Sequence, residues 1–433
     1  MSDAYGLYIS GITPKPNEYP AKLDDTNNTF SSILTLLDST ATIYSMAVYN
    51  GTLYVSGVVA NNDDGNTPYF AKLDNNTNRF VTNIIKIPNQ FTSSGILSMT
   101  IYKKNLYMCM GDPAWDDDGP LKHIITYNDQ NKTVSSDFNF DGLTVKSINV
   151  MTSYKGILCI GGNYTTGNTG NTINSLYVAT LDDTNNKFRN FLLPDTGVPA
   201  ADGYAEPEGI YSMTVYSGDL YVGGRIIETN QPNMSYLAKA SNLNDSISRP
   251  DTFTSIKLTD LKGNTVNIGN INAMIQYKDN LYLLGDKGAG YYNGKINKNF
   301  DYILSDSGII MNSFYMSNLT IYNSELYAST GYTPYQAPDP NNKGVYKLDN
   351  NKWTSFNKGI PSGTNILPMI DYNKNVNHAD LSNMIFYKKN SLSSFNLALI
   401  FGLSVGGGIL LLGIIIYLCV KDPLHVFSNS GGN

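Results

Sequence analysis

The chain has little of what catalytic and nucleic-acid-binding proteins usually carry. Its three histidines, at 123, 378 and 425, are scattered along 433 residues, which excludes the clustered imidazoles of a copper or iron centre. Arginine occurs four times among 30 basic residues and the formal charge is −6. Phosphate recognition leans on basic surface and guanidinium forks, so no nucleic-acid partner is expected. The cysteines at 109, 159 and 419 are odd in number and share no paired spacing, which reads as free thiols in a reducing compartment. The opening "MSDAYGLYIS" lacks the basic start and apolar stretch of a secretory signal. The N-x-S/T triplets at Asn50 and Asn163 are therefore expected to be unmodified. No H-E-x-x-H, G-x-S-x-G or G-x-x-x-x-G-K-S/T pattern occurs, and "GAGYYNGKI" (288–296) lacks the spacing of a phosphate loop. Neither an enzymatic activity nor a cofactor is expected.

Tyrosine (32) and glycine (38) are plentiful, which favours many short strands and tight turns. A chain this long outgrows one ordinary core unless repeats each add their own. Such repeats are present. "YSMAVYNGTLYVSG" (44–57), "LSMTIYKKNLYMCMG" (97–111), "NVMTSYKGILCIGG" (149–162), "YSMTVYSGDLYVGG" (211–224), "NAMIQYKDNLYLLG" (272–285) and "SNLTIYNSELYASTG" (317–331) each alternate apolar and polar residues around a tight turn, the pattern of a half-buried hairpin. A further apolar strand follows each of most hairpins, as in "YFAKLD" (69–74) and "VYKLD" (345–349), and then an Asn/Asp turn and a fourth strand such as "NRFVTNI" (78–84) or "KWTSF" (352–356). Four antiparallel strands per unit is the signature of propeller blades.

The termini supply the seventh unit. The chain begins at "AYGLYISG" (4–11), a second strand with no first, and the missing first strand is expected in "LSNMIFYKKN" (381–390). The expectation is an all-β, seven-bladed propeller over 1–390, with blade 1 made of 4–37 plus 381–390 and shared by both termini. The "LYVGG" of 220–224, the "LCIGG" of 158–162 and Trp353 resemble kelch-type propellers and, more closely, the cortical cell-polarity marker repeat family. That resemblance implies the propeller fold and leaves function open. The glycine pair is reduced to a single glycine in most copies, and Cys159 replaces the second-strand tyrosine.

After a short linker (391–396), "LALIFGLSVGGGILLLGIIIYLCV" (397–420) is uncharged and long enough to span a bilayer as a helix, followed by a polar tail, 421–433. Lys388 and Lys389 before it outnumber Lys421 after it, which places the propeller on the cytosolic side. Turns joining first to second strands are short, and they carry Lys103, Lys104, Lys155, Lys278, Lys388 and Lys389. A clasp strand entering the membrane directly would turn that face to the bilayer, where each lysine near anionic headgroups contributes about 1 kcal/mol. The same lysines also read as ordinary exposed turn residues.

Connections on the opposite face are long, for example 58–68, 111–120, 162–174 and 330–344, and are the place for a protein partner. Trp115, Tyr332 and Tyr335 are candidate anchors there, although packing on their own blades is the plainer alternative. Asp116, Asp117 and Asp118 follow Trp115; an oxygen-rich loop can hold Ca²⁺, but this spacing matches no known loop and reads first as solvated acid, so no metal is expected. Gly402 and Gly406 form a G-x-x-x-G match, which allows a weak dimer through the helix. The function expected from these features is a membrane-anchored, non-enzymatic protein-binding scaffold linking a membrane to a facing protein layer, cortical or virion-like. The alternatives are a surface receptor or attachment module for carbohydrate or protein and, last, a propeller hydrolase or lyase.

Overall fold

The structure is a computed structural model. It describes residues 6–12, 20–32, 41–61, 65–77, 79–82, 84–85, 95–111, 123–131, 133–135, 138–140, 144–166, 173–193, 209–228, 231–241, 243, 253–294, 300–302, 304–305, 316–330, 344–358, 360 and 365–372. The chain divides into two units, 1–383 and 384–433, and every described residue belongs to the first.

That unit is an all-β propeller of seven blades, each with four antiparallel strands. Blade 2 comprises Ala41–Tyr49, Thr52–Asn61, Gly65–Asp74 and Arg79–Thr82. Blades 3 to 7 repeat the order, with first strands Gly95–Tyr102, Thr144–Tyr154, Gly209–Tyr216, Ile271–Tyr277 and Met316–Tyr322. These first strands contact one another in succession, and the last contacts the first strand of blade 1, which in turn contacts that of blade 2, so the ring closes. Blades 4 and 7 each gain a fifth, parallel strand at the outer edge, Asn139–Phe140 and Leu304–Ser305.

Blade 1 joins the two ends of the propeller, as expected, but through a different strand. Gly6–Ile12 pairs with Asn365–Tyr372, with Leu7 opposite Asp371 and Ile9 opposite Met369. Residues 381–390 lie outside the described residues. The strand used carries the same apolar spacing as its counterparts: Ile366, Met369 and Tyr372 match Ile43, Met46 and Tyr49. Pro368 falls within the register shift of this pair, where a missing N–H removes no ladder bond.

Two further expectations change. The 58–68 and 162–174 stretches are largely strand, because Thr52–Asn61, Gly65–Asp74, Ile157–Thr166 and Ile173–Asp182 run into them. In blade 6, Asp286 and Lys287 alone join the second and third strands, so not every connection on that face is long. "GAGYY" at 288–292 is that third strand.

The core lies between blades rather than inside one. Tyr8 and Tyr372 of blade 1 cluster with Val48, Leu53, Val55 and Phe80 of blade 2, and Ile96, Met108 and Tyr127 of blade 3 pack on Tyr49, Tyr54 and Phe70. Each sheet thus buries both faces, and removing one blade would expose two apolar surfaces. One glycine of the "GG" signature is required by backbone approach. A Cβ on Gly57 would sit 1.8 Å from the Thr42 carbonyl oxygen, on Gly162 1.9 Å from that of Ser147, and on Gly224 2.0 Å from that of Gly209. These contacts coincide with a bulge in each first strand, between Ile43 and Ser45, Ile148 and Val150, and Ile210 and Ser212. The preceding position meets only neighbouring side chains, Ile210 beside Gly161 and Ile271 beside Gly223, and accordingly it varies: Ser56 and Leu284 occupy it in blades 2 and 6.

Candidate functional site: the short-turn face and its seam

The turns joining first to second strands are two residues long and, outside blade 6, left-handed at both positions. Asn50 and Gly51, Lys103 and Lys104, Lys155 and Gly156, and Ser217 and Gly218 all have positive φ, the geometry whose twist matches a hairpin. The preceding tyrosine is buried in every blade and points at the next one. Tyr49, Tyr102, Tyr154, Tyr216, Tyr277 and Tyr372 donate their hydroxyls to the carbonyls of Lys104, Gly156, Gly218, Asp279, Ser324 and Gly51 over 2.7 to 3.1 Å. In every blade but the fourth the first-strand tyrosine, Tyr322 included, also packs on the second-strand tyrosine of its own blade, Tyr54, Tyr107, Tyr221, Tyr282, Tyr327 or Tyr8, with ring centroids 5.4 to 6.3 Å apart. Blade 4 lacks that partner because Cys159 stands there. Burial lifts its thiol to about 12, and that of Cys109 likewise, so both are protonated and poor nucleophiles near neutrality.

Tyr322 is the exception. The blade it faces has no first-to-second turn, because the closing strand and Gly6–Ile12 come from opposite ends of the propeller. Its hydroxyl donates instead to the carboxylate of Asp25. Asp371, one residue before Tyr372 and half-buried, lies close to Asp25, and burial together with that neighbouring charge raises its carboxyl to about 6. Sequence inspection missed Asp25, Asp371 and the tyrosine relay. Their signal was the Ile-x-x-Met-x-x-Tyr spacing, with an acid at 371 where the other first strands have Val48, Ile101, Ser153, Val215, Gln276 and Ile321.

Lys103, Lys155 and Lys278 occupy the turns as expected, and each ammonium lies over the ring of its preceding tyrosine, 4.9 to 5.3 Å from the centroid. Lys103 also pairs with Asp183, and Lys155 donates to the Ser241 carbonyl over 2.7 Å, in each case reaching the following blade. Lys104 is exposed and left-handed. The third-to-fourth turns share this face and are acidic. Asp74 accepts from the N–H of Asn76 and the hydroxyl of Thr77, and these bonds hold its carboxyl below the usual range. Asp182 is lowered in the same way by the amide of Asn185, the N–H of Thr184 and Arg189. The face is therefore mixed in charge rather than basic.

Trp115, Asp116, Asp117, Asp118, Tyr332, Tyr335, Lys388, Lys389, Gly402 and Gly406 lie outside the described residues, as do 397–420. Among the described residues no helix is long and apolar enough to cross a membrane, and no group of three His, Cys, Asp or Glu is placed to hold a metal. Of the two triplet asparagines, Asn50 is exposed in its turn, whereas Asn163 is 2% exposed and accepts from the Ser147 hydroxyl.

No family model and no curated relative matches the chain. Solved structures with a similar fold include a GH74 enzyme of Niastella koreensis, 12% identical with a TM-score of 0.49, over 82% of this chain and 55% of that one. PorZ, a surface component of the type-IX secretion system of Porphyromonas gingivalis, is 12% identical with a TM-score of 0.46, over 79% of this chain and 43% of that one. The extracellular domain of a one-component system of B. thetaiotaomicron is 14% identical with a TM-score of 0.45, over 75% of this chain and 39% of that one. This chain thus spans well under two thirds of each of these proteins. Similarity at this level concerns the fold alone.

Proposed function

We propose that the chain is a membrane-anchored propeller that serves as a non-enzymatic protein-binding scaffold, joining a membrane to a protein layer that faces it. The observation that carries this reading is the closure of the ring at Tyr372. Seven four-stranded blades are complete between residues 6 and 372, so the uncharged run 397–420 is not needed to finish any blade. A run that apolar demands lipid or protein cover. The burial of Cys109 and Cys159, which keeps both thiols protonated, favours packing over chemistry. Residues 373–396 lie between the closing strand and the run, so attachment is assigned to that stretch and not to the lysine-bearing turns, whose charge is offset by Asp74, Asp182 and Asp183 on the same face.

Alkaline extraction of membranes tests the anchor: the full chain is expected to stay in the pellet and a chain ending at 391 to be released. Release of both overturns it. Cross-linking in intact membranes then identifies the partner, expected on 112–122 and 331–343. A glycan on Asn50 in native material would instead favour an attachment module outside the cell and overturn the cytosolic placement.

A further inference from the structure

In blades 2 to 6 the first strand carries one extra residue at its bulge, and that residue is Tyr44, Leu97, Asn149, Tyr211 and Asn272 in turn. A bulge breaks the alternation of a strand and re-aims the extra side chain. The first strands contact one another around the ring, so they form its inner wall, and all five bulged residues are half-buried there. Their position lies at the start of the first strand, away from the short-turn face.

Three of them are tied side by side. Asn149 donates through Nδ2 to the carbonyl of Ile210, the residue before Tyr211, over 3.1 Å. Ser212, the residue after Tyr211, donates through Oγ to the carbonyl of Ile271, the residue before Asn272, over 2.9 Å. The Tyr211 ring and the Asn149 amide both close on Gly209, where a Cβ would lie 3.0 Å from the one and 3.2 Å from the other. Asn272 is held at both ends: Nδ2 donates to Asp286 over 2.6 Å, and Oδ1 accepts from Nδ2 of Asn270 over 2.7 Å. A carboxylate only accepts, so this relay has one orientation. It ends on Oδ1 of Asn270, a residue 8% exposed, which meets no donor among the described residues.

We propose that Asn149, Tyr211 and Asn272 form a binding site for a neutral saccharide. Each asparagine commits one N–H to the protein and keeps the other beside its carbonyl oxygen. That is a donor next to an acceptor, the pair that vicinal hydroxyls, each able to give and accept, satisfy together. The tyrosine ring between the amides offers an apolar surface to the C–H face of a sugar ring. Charge has no share in the site. Tyr44 and Leu97 continue the wall without it, and the Asp286-Lys287 turn carries one charge of each sign. An ion would find no net counter-charge there, and a wholly apolar ligand would leave both amides unpaired. The site depends neither on the anchor nor on the protein partner proposed above.

Saturation-transfer NMR on the full chain, in a detergent without sugar headgroups, tests the proposal. Glucose, galactose, mannose, N-acetylglucosamine and N-acetylgalactosamine are the probes, with glucuronic and sialic acids as charged comparisons. At least one neutral sugar is expected to bind with a Kd of about 1 mM. Tyr211→Ala and Asn149→Ala should each raise that Kd about tenfold, whereas Tyr211→Phe, which keeps the ring, should leave it unchanged. Leu97→Ala, on the same wall outside the three, should also leave it unchanged. Asn149→Ala retains the ring and Tyr211→Ala retains the tie to Ile210, so either variant that melts with the parent gives the reading. Absence of transfer from every neutral sugar at about 10 mM overturns the proposal. So does binding that both alanine variants preserve, or tighter binding of the charged sugars.

Discussion

The hydroxyl of Tyr372 lies 2.8 Å from the carbonyl oxygen of Gly51, 321 residues earlier in the chain. This one bond joins the closing strand to blade 2 with the geometry that Tyr216 uses toward Asp279 and Tyr277 toward Ser324. The seam is therefore built with the same joint as the uninterrupted junctions on its blade 2 side, and with a different one, Tyr322 to Asp25, on its blade 7 side.

Tyr372→Phe removes a buried hydroxyl that also bonds the side chain of Asn75. A loss of about 1 to 2 kcal/mol is expected, visible as earlier proteolysis of 365–372. Tyr216→Phe should cost about 1 kcal/mol in thermal melts without exposing that strand.

Gly57→Ala would push a Cβ to 1.8 Å from the Thr42 carbonyl, and backbone cannot yield as a side chain can. Destabilisation of about 3 kcal/mol or more is expected, read as a fall in Tm. Gly51→Ala meets no atom within 4 Å and should cost only the left-handed backbone penalty, about 1 kcal/mol.

Lys104 holds a φ of 66° that glycine adopts freely. Lys104→Gly should raise stability by roughly 0.5 to 1 kcal/mol. Lys103→Ala, by contrast, loses the ion pair to Asp183 and the ring contact with Tyr102, with an expected cost below about 1 kcal/mol that shrinks further in 0.5 M salt.

Asp371→Asn tests the sign of the seam's titration in bulk stability. Because the carboxyl is raised to about 6 in the folded ring, ionisation costs stability above that pH and nothing below the free-chain value. The variant should melt higher than the parent at pH 8 and match it at pH 4. A higher melting point at pH 4 as well would point to packing instead of charge.

The hairpins were legible because their chemistry is local: alternation, a two-residue left-handed turn, and the leucine-tyrosine pair of the second strand. Blade count and the sharing of one blade by both termini followed from the repeat. The identity of the closing strand did not. Two stretches, 366–372 and 381–387, carry the signature, and Pro368 in the first reads as a breaker until the register shift around it is seen. The lysines of the short turns were legible as positions but not as partners, since Asp183 and Ser241 lie far along the chain and in the next blade. Loop residues such as Trp115 and Tyr332 belong to connections whose length varies from blade to blade, and no repeat constrains them.

The antiparallel pairing of Gly6–Ile12 with Asn365–Tyr372 has a mechanical consequence. A pull on the chain beyond Tyr372, directed along the strand, loads the whole ladder in shear together with the Tyr372 joint to Gly51, so the bonds must yield together. The same pull directed across the sheet would peel them one after another. How firmly the ring holds against a tether is thus set by the direction of the force as much as by its size.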